Sequence, residues 1–172
     1  TAISDAYDKI KIGRCKVAIT GGADASITPT TVAGFAQAKA LSIKGISSPY
    51  DLKRDGFIIG EGAGILVLES LEHAIQRNAR IYGEILGYGS TSDSNHITAP
   101  EHGARGLVRA IESAIKDAGI EKEKISYINS HGTSTQINDA TETLAFKKVF
   151  GDYAYKIPIS STKSMIGHAI GA

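Results

Sequence analysis

Two short stretches hold the residue types that oxyanion chemistry needs. One is Ser130-His131-Gly132-Thr133-Ser134-Thr135, the other Ser160-Ser161-Thr162-Lys163-Ser164-Met165-Ile166-Gly167-His168. Each follows a short apolar run, residues 125–129 and 157–160, that reads as a strand. A histidine just past a strand's carboxyl end stands where open α/β sheets bind their ligands. If the two strands share a sheet, His131, Lys163 and His168 converge on one pocket. Neutral imidazoles there would offer N–H donors to a developing oxyanion. Gly132 lets the backbone approach a ligand closely. Thr133 and Thr135 present hydroxyls to a polar chain. The plainer alternatives are a polar surface turn over 130–135 and a solvated surface charge at Lys163.

Other chemistry-bearing residues fit less well. No two histidines have the i, i+4 spacing of a zinc-binding helix, and Cys15 is an isolated thiol, so no metal site is expected. His73 and His102 read as solvated surface residues. His96, flanked by Asp93 and Thr98, reads either as the lining of a substrate channel or as a loop hydrogen-bonding residue. Gly60-Glu61-Gly62-Ala63-Gly64 resembles a phosphate loop, but such a loop opens a helix, whereas an apolar strand-like run follows here. Close packing of backbone around glycine is the better account. Cys15 reads as a buried structural thiol.

The elements that must position these residues alternate between helix and strand. A helix is expected over 1–10, a strand over 16–20 and a turn over 21–24. Pro29 and Gly34 punctuate the next stretch, and a short helix is expected over 35–41. The segment before and after Pro49 reads as a loop. Further strands are expected over 65–69 and 81–87, with a helix over 71–78 between them. Leu107, Ala110, Ile111, Ala114 and Ile115 mark one face of a helix over 103–118, ended by Gly119. Residues 139–150 read as a helix with Asp139 as its N-cap. Alternation of this kind implies an α/β layered core. The opening in mid-helix and the stop at Gly171-Ala172 suggest a piece of a longer protein.

Composition bounds the function classes. The 172 residues carry 19 basic and 18 acidic side chains, a formal net charge of +1, with 42% hydrophobic and 22% charged residues. That balance suits a globular domain. It gives no reason to expect nucleic acid or an anionic membrane as partner. A single cysteine excludes an internal disulfide and fits a reducing compartment. The expected location is the cytoplasm in a bacterium, or a plastid or mitochondrial matrix in a eukaryote.

Four segments in order carry a resemblance. They are Val17-Ala18-Ile19-Thr20-Gly21-Gly22-Ala23-Asp24, Arg54-Asp55-Gly56-Phe57-Ile58-Ile59-Gly60-Glu61-Gly62-Ala63-Gly64, Asn129-Ser130-His131-Gly132-Thr133-Ser134-Thr135 and Ser161-Thr162-Lys163-Ser164-Met165-Ile166-Gly167-His168. Together the chain resembles β-ketoacyl-acyl carrier protein synthases of the elongating type, and the related ketosynthase domains of polyketide synthases. The resemblance implies a thiolase-like layered αβαβα fold of two similar halves. Residues 1–78 would be the end of the first half and residues 79–172 the start of the second. It implies a homodimer that condenses an acyl thioester with malonyl-acyl carrier protein by a decarboxylating Claisen reaction. The nucleophilic cysteine would precede Thr1, and this chain alone is expected to be inactive. His131 and His168 would be the paired histidines that stabilise the enolate, Lys163 the catalytic lysine, and Glu142 the acid that partners it. Thr133 and Thr135 would hold the phosphopantetheine arm, which arrives on the carrier protein, so no cofactor of the enzyme's own is implied. Ser48 departs from the arginine that the family often places before its Pro-aromatic-Asp segment. The family's gating loop would follow Ala172. A non-catalytic chain-length-factor-like partner subunit and a thiolase are the rivals. Retention of His131, Lys163 and His168 speaks against both.

Overall fold

The computed structural model describes residues 1–96 and 99–172. Helix α1 (Ala2–Lys11) leads into β1 (Val17–Asp24), then α2 (Pro29–Gln37), β2 (Gly62–Glu69) and α3 (Leu71–Gln76). Helix α4 (Arg105–Ala118), β3 (Ile128–Asn129), α5 (Gln136–Phe150), β4 (Ile159–Ser160) and α6 (Lys163–Ile166) complete the order. This is an α/β chain, as the alternating pattern implies.

Strands β1 and β2 pair antiparallel over their full length, from Val17 opposite Glu69 to Asp24 opposite Gly62. The turn expected over 21–24 is therefore strand. Gly21 makes the difference: its φ is +148°, and a Cβ on it would strike the Gly64 carbonyl oxygen. Two glycine-rich stretches close up on each other here and keep the ladder going. Cys15, in the link before β1, is half-buried rather than buried. Strand β2 begins inside the Gly60–Gly64 stretch, at Gly62, so these glycines do not open a helix.

Several boundaries differ from expectation for identifiable reasons. Helix α2 starts earlier than residue 35 because Thr28, in extended conformation, accepts the Thr31 N–H at 3.3 Å and Pro29 occupies the first helical position. Residues 81–87 form no strand, since no ladder partner lies beside them among the described residues. They run into a segment that packs on α4 instead. Tyr88 donates its N–H to Asp117 at 3.2 Å and its hydroxyl to Asp8 at 2.7 Å. Helix α5 begins at Gln136 with Thr135 as N-cap, not at Asp139. The strands around 125–129 and 157–160 shrink to two residues each.

The main apolar cluster lies where α5 meets α4 and the short sheet. Phe146, Val149, Phe150 and Ile157 are buried, and Val108, Ile111, Ile115, Ile128 and Ile159 pack against them. Strands β3 and β4 are parallel neighbours, Ile128 beside Ile159 and Asn129 beside Ser160. Their carboxyl ends therefore point the same way and open toward the same space.

Candidate active site

Because β3 and β4 lie side by side, the residues that follow them meet. His131 and His168 stand edge to face with ring centroids 5.4 Å apart. His168 is fixed by a second, strand-like contact. Its N–H donates to the Ile58 carbonyl at 2.8 Å, and its carbonyl accepts the Gly60 N–H at 2.9 Å. The Phe57 ring packs on the imidazole at 4.8 Å, and Phe35 packs on Phe57 at 5.5 Å. Lys163 sits at the start of α6, half-buried, between the two histidines in sequence.

The two imidazoles are kept neutral. Burial, then the Lys163 charge, then His131 hold His168 down at about 4. His131 is lowered by desolvation first and by Lys163 second, although its side keeps considerable exposed area. The Ile170 N–H donates to His168 Nδ1 at 3.1 Å. A neutral ring whose Nδ1 accepts must carry its proton on Nε2. His168 Nε2–H is thus a donor set in advance. Desolvation also lowers Lys163, against the pull of Glu142.

Glu142 is 5% exposed and lies under the His131 loop. Its Oε1 accepts the His131 N–H at 2.8 Å, and its Oε2 accepts the Gly132 N–H at 2.7 Å. The same Oε2 accepts Asn138 Nδ2 at 2.8 Å and the Tyr50 hydroxyl at 3.1 Å. A buried carboxylate is tolerated when its lone pairs are filled in this way. Among the described residues Glu142 makes no ion pair with Lys163. The hydrogen bonds of Glu142 go to the loop backbone, Asn138 and Tyr50 instead. Gly132, with φ +43°, passes close to Ser161, where a Cβ would clash. The Ser161 hydroxyl donates to the His131 carbonyl at 3.2 Å.

Thr133 is buried, and its hydroxyl lies 2.9 Å from that of Thr135. Next to them Ser134 is fully buried with φ +66°. It is tied to the distant loop before β2: its Oγ accepts the Ser48 N–H at 2.9 Å, and its carbonyl accepts the Gly56 N–H at 2.9 Å. Asp139, 1% exposed, accepts the Ser134 N–H at 3.1 Å and the Tyr50 N–H at 2.8 Å, and pairs with Arg54 at 3.5 Å. Arg54 also donates to the carbonyls of Thr135 and Gln136 at 3.0 and 2.7 Å. Tyr50, Arg54 and Asp139 are the residues that sequence reasoning did not place at the site. Their only signal is the Pro-aromatic-Asp run at 49–51 and a lone acid in the first turn of a helix.

The remaining histidines stay apart from this cluster. His73 pairs with Glu69 at 2.7 Å, and His102 lines a shallow groove beside Ile137 and Leu144. His96 Nδ1 accepts the Ala99 N–H at 3.0 Å, a loop hydrogen bond. Thr98, which flanks it, lies outside the described residues. No three His, Cys, Asp or Glu side chains gather as a metal would need among the described residues, and no helix there is long and apolar enough to cross a membrane.

The family model for the N-terminal domain of β-ketoacyl synthase matches residues 1–74, and that for the C-terminal domain matches residues 82–172. The chain belongs to the β-ketoacyl synthase family. The chain is 53% identical over 175 residues to a 3-oxoacyl-[acyl-carrier-protein] synthase 2 of Synechocystis sp., covering 99% of the chain and 42% of the relative. It superposes with TM-score 0.94 and 41% identity on a solved complex of a type II PKS acyl-carrier protein with its ketosynthase bound to the hexaketide. That match covers 97% of the chain and 42% of the other. The ishigamide ketosynthase/chain length factor matches with TM-score 0.93 and 44% identity, over 99% of the chain and 41% of the other. The layered thiolase-type fold expected from the sequence is the fold of these ketosynthases. The chain spans less than half the length of the relatives it matches.

Proposed function

We propose that this chain supplies the enolate-stabilising part of a β-ketoacyl-acyl carrier protein synthase. The observation that carries the reading is the pair of neutral imidazoles at adjacent strand ends, one with its Nε2 proton fixed by a backbone donor to Nδ1. In the condensation, the bond between the malonyl α-carbon and its carboxylate breaks and carbon dioxide leaves. The electron pair moves into an enolate whose negative charge rests on the thioester oxygen. N–H donors from His131 and His168 aimed at that oxygen stabilise the transition state more than the ground state. The enolate carbon then attacks the acyl thioester held on a cysteine, which departs as thiolate. Burial first, and the charge of Lys163 second, favour the neutral imidazoles, so both remain donors.

The carrier-bound phosphopantetheine would run past Thr133 and Thr135, and no further cofactor is invoked. Acyl carrier protein bearing acyl or malonyl groups is the proposed partner, with a homodimer as the assembly and residues 1–78 and 79–172 contributing to two halves. The Synechocystis relative's name favours fatty acid elongation, while the solved complex with a hexaketide keeps a polyketide ketosynthase as the second reading. In the full-length enzyme, His131→Ala and His168→Ala should each slow malonyl decarboxylation by about 10²–10³. Acyl transfer to the cysteine, which forms no malonyl enolate, should persist. Assaying the two half-reactions separately checks this, and equal loss in both, tracking a lowered melting temperature, would sink it.

A further inference from the structure

We infer that Tyr50 is a positioning residue for the condensation, whose hydroxyl locks the Glu142 carboxylate under the His131–Gly132 backbone. The inference rests on the function proposed above and adds a residue from a distant part of the chain. Asp139 and Glu142 are three apart on α5, so they share a face and lie together beneath the 130–135 loop. Tyr50 reaches both. Its N–H donates to Asp139 Oδ2 at 2.8 Å and its hydroxyl to Glu142 Oε2 at 3.1 Å, across 89 and 92 residues of sequence.

The backbone of Tyr50 is held at φ +66°, a region that a side chain with a Cβ seldom occupies. A conformation of this cost persists only where surrounding contacts enforce it, and such positions cluster at functional sites. The contacts here are those two carboxylates, with the Ser130 hydroxyl as another polar neighbour of the phenol. Burial, together with the negative charges of Glu142 and Asp139, pushes the phenol well above its ordinary pKa. Tyr50 therefore keeps its proton across the working pH range and has it to donate to Glu142.

The geometry explains what that donor does. Glu142 Oε1 holds the His131 N–H, and Oε2 holds the Gly132 N–H. These two bonds orient the carboxylate plane and, through it, the start of the histidine loop. Asn138 comes from the same helix as Glu142 and moves with it. Tyr50 comes from outside, and its loop is anchored separately by Ser48 on Ser134 and by Arg54 on Thr135. Its hydroxyl is thus the fixed point against which the carboxylate is set.

Tyr50→Phe in the full-length enzyme deletes that one donor and keeps the ring. Malonyl decarboxylation should fall about tenfold, equivalent to about 1.4 kcal/mol, with acyl transfer retained and the melting temperature close to wild type. On a Glu142→Gln background the same change should add little, because the bond it removes is already altered. Equal loss in both half-reactions, or a full additive loss on that background, overturns the inference. Hydrogen exchange of the His131 and Gly132 amides supplies a readout that does not need the reaction. Tyr50→Phe should speed both, and unchanged exchange counts against the role. If the wild-type enzyme does not decarboxylate malonyl thioester, the proposed function fails, and the exchange measurement still decides on Tyr50.

Discussion

The eight-residue ladder of β1 and β2 and the two-residue ladder of β3 and β4 are held in opposite ways. The long ladder has complete backbone pairing but little cover: Ile19 is 77% exposed, and Ile65 and Val67 are each 59% exposed. The short ladder has four residues in all, yet it lies between the apolar cluster of α5 and a set of buried polar groups. Asp139, Ser134, Thr133 and Glu142 are all less than a tenth exposed. Hydrogen bonding holds the long pair in register, whereas the short pair, half-buried at Ile128 and Ile159 and exposed at Asn129 and Ser160, is held by the apolar cluster that packs on it and by the buried polar groups beside it. The site is built on the second kind of support. Catalytic side chains tolerate little displacement, and a filled polar network fixes geometry more tightly than an exposed ladder does.

The largest effect expected from breaking that contrast is at Asp139. Its carboxylate joins Tyr50 and Arg54, both in the loop before β2, to Ser134 in the loop before α5, a distant stretch of the chain. Asp139→Ala leaves the Arg54 guanidinium, 12% exposed, without its acid. Removing one partner of a buried pair costs about 3–5 kcal/mol. Urea unfolding of the 172-residue chain measures the loss. A cost below about 1 kcal/mol would mean that the pair behaves as a surface ion pair and that the site is not over-determined.

The same residue shows how far the sequence reaches. His131, Lys163 and His168 are visible because each follows an apolar run into small polar residues, a local pattern. That Asp139 reads as a helix cap is a local inference too, and it fails because α5 already begins at Gln136, leaving the carboxylate to Ser134 and to Tyr50 and Arg54, the last two 85 residues or more away. No periodicity encodes such a contact. Glu142 was identified by resemblance, but its hydrogen bonds to the His131 and Gly132 backbone depend on how α5 passes beneath the loop. The strand expected over 81–87 fails for a related reason: an apolar, extended stretch is a strand only when a partner lies beside it, and partners are a property of the fold. Boundaries set by capping chemistry, such as Gly119 ending α4 in left-handed conformation, follow from the local sequence.

A smaller effect is expected from His168. Its folded-state pKa of about 4 lies below the value of about 6.5 for an unfolded histidine. Between those values the unfolded chain binds a proton that the folded chain does not, so stability rises with pH across this window. The contribution is present above pH 6.5 or so and is lost as pH falls toward 4. His168→Gln should flatten the difference between urea midpoints at pH 7 and pH 5. An unchanged pH slope would show that His168 is not kept neutral by its surroundings, and the preset Nε2 donor would go with it.

The smallest effect should come from the uncovered sheet. Ile19 lies in the centre of β1, paired with Val67, and its side chain faces solvent in this chain. Surface substitutions away from caps, pairs and cores change stability by less than about 0.5 kcal/mol. Ile19→Ser in the 172-residue chain should stay within that limit, in the same urea assay as Asp139→Ala. Serine removes a β-branched side chain from a strand, a change that spans at most about 1 kcal/mol on propensity scales, so the ladder itself adds little. A loss near the roughly 1.5–3 kcal/mol of a fully buried isoleucine would mean that some surface covers the strand in solution. A dependence of that loss on protein concentration would identify the cover as a second copy of the chain, because a self-associating face is stabilised by mass action. Concentration independence with a small loss would leave the contrast as drawn: a long sheet held by its backbone, and a short one held by the buried polar groups that also aim the histidines.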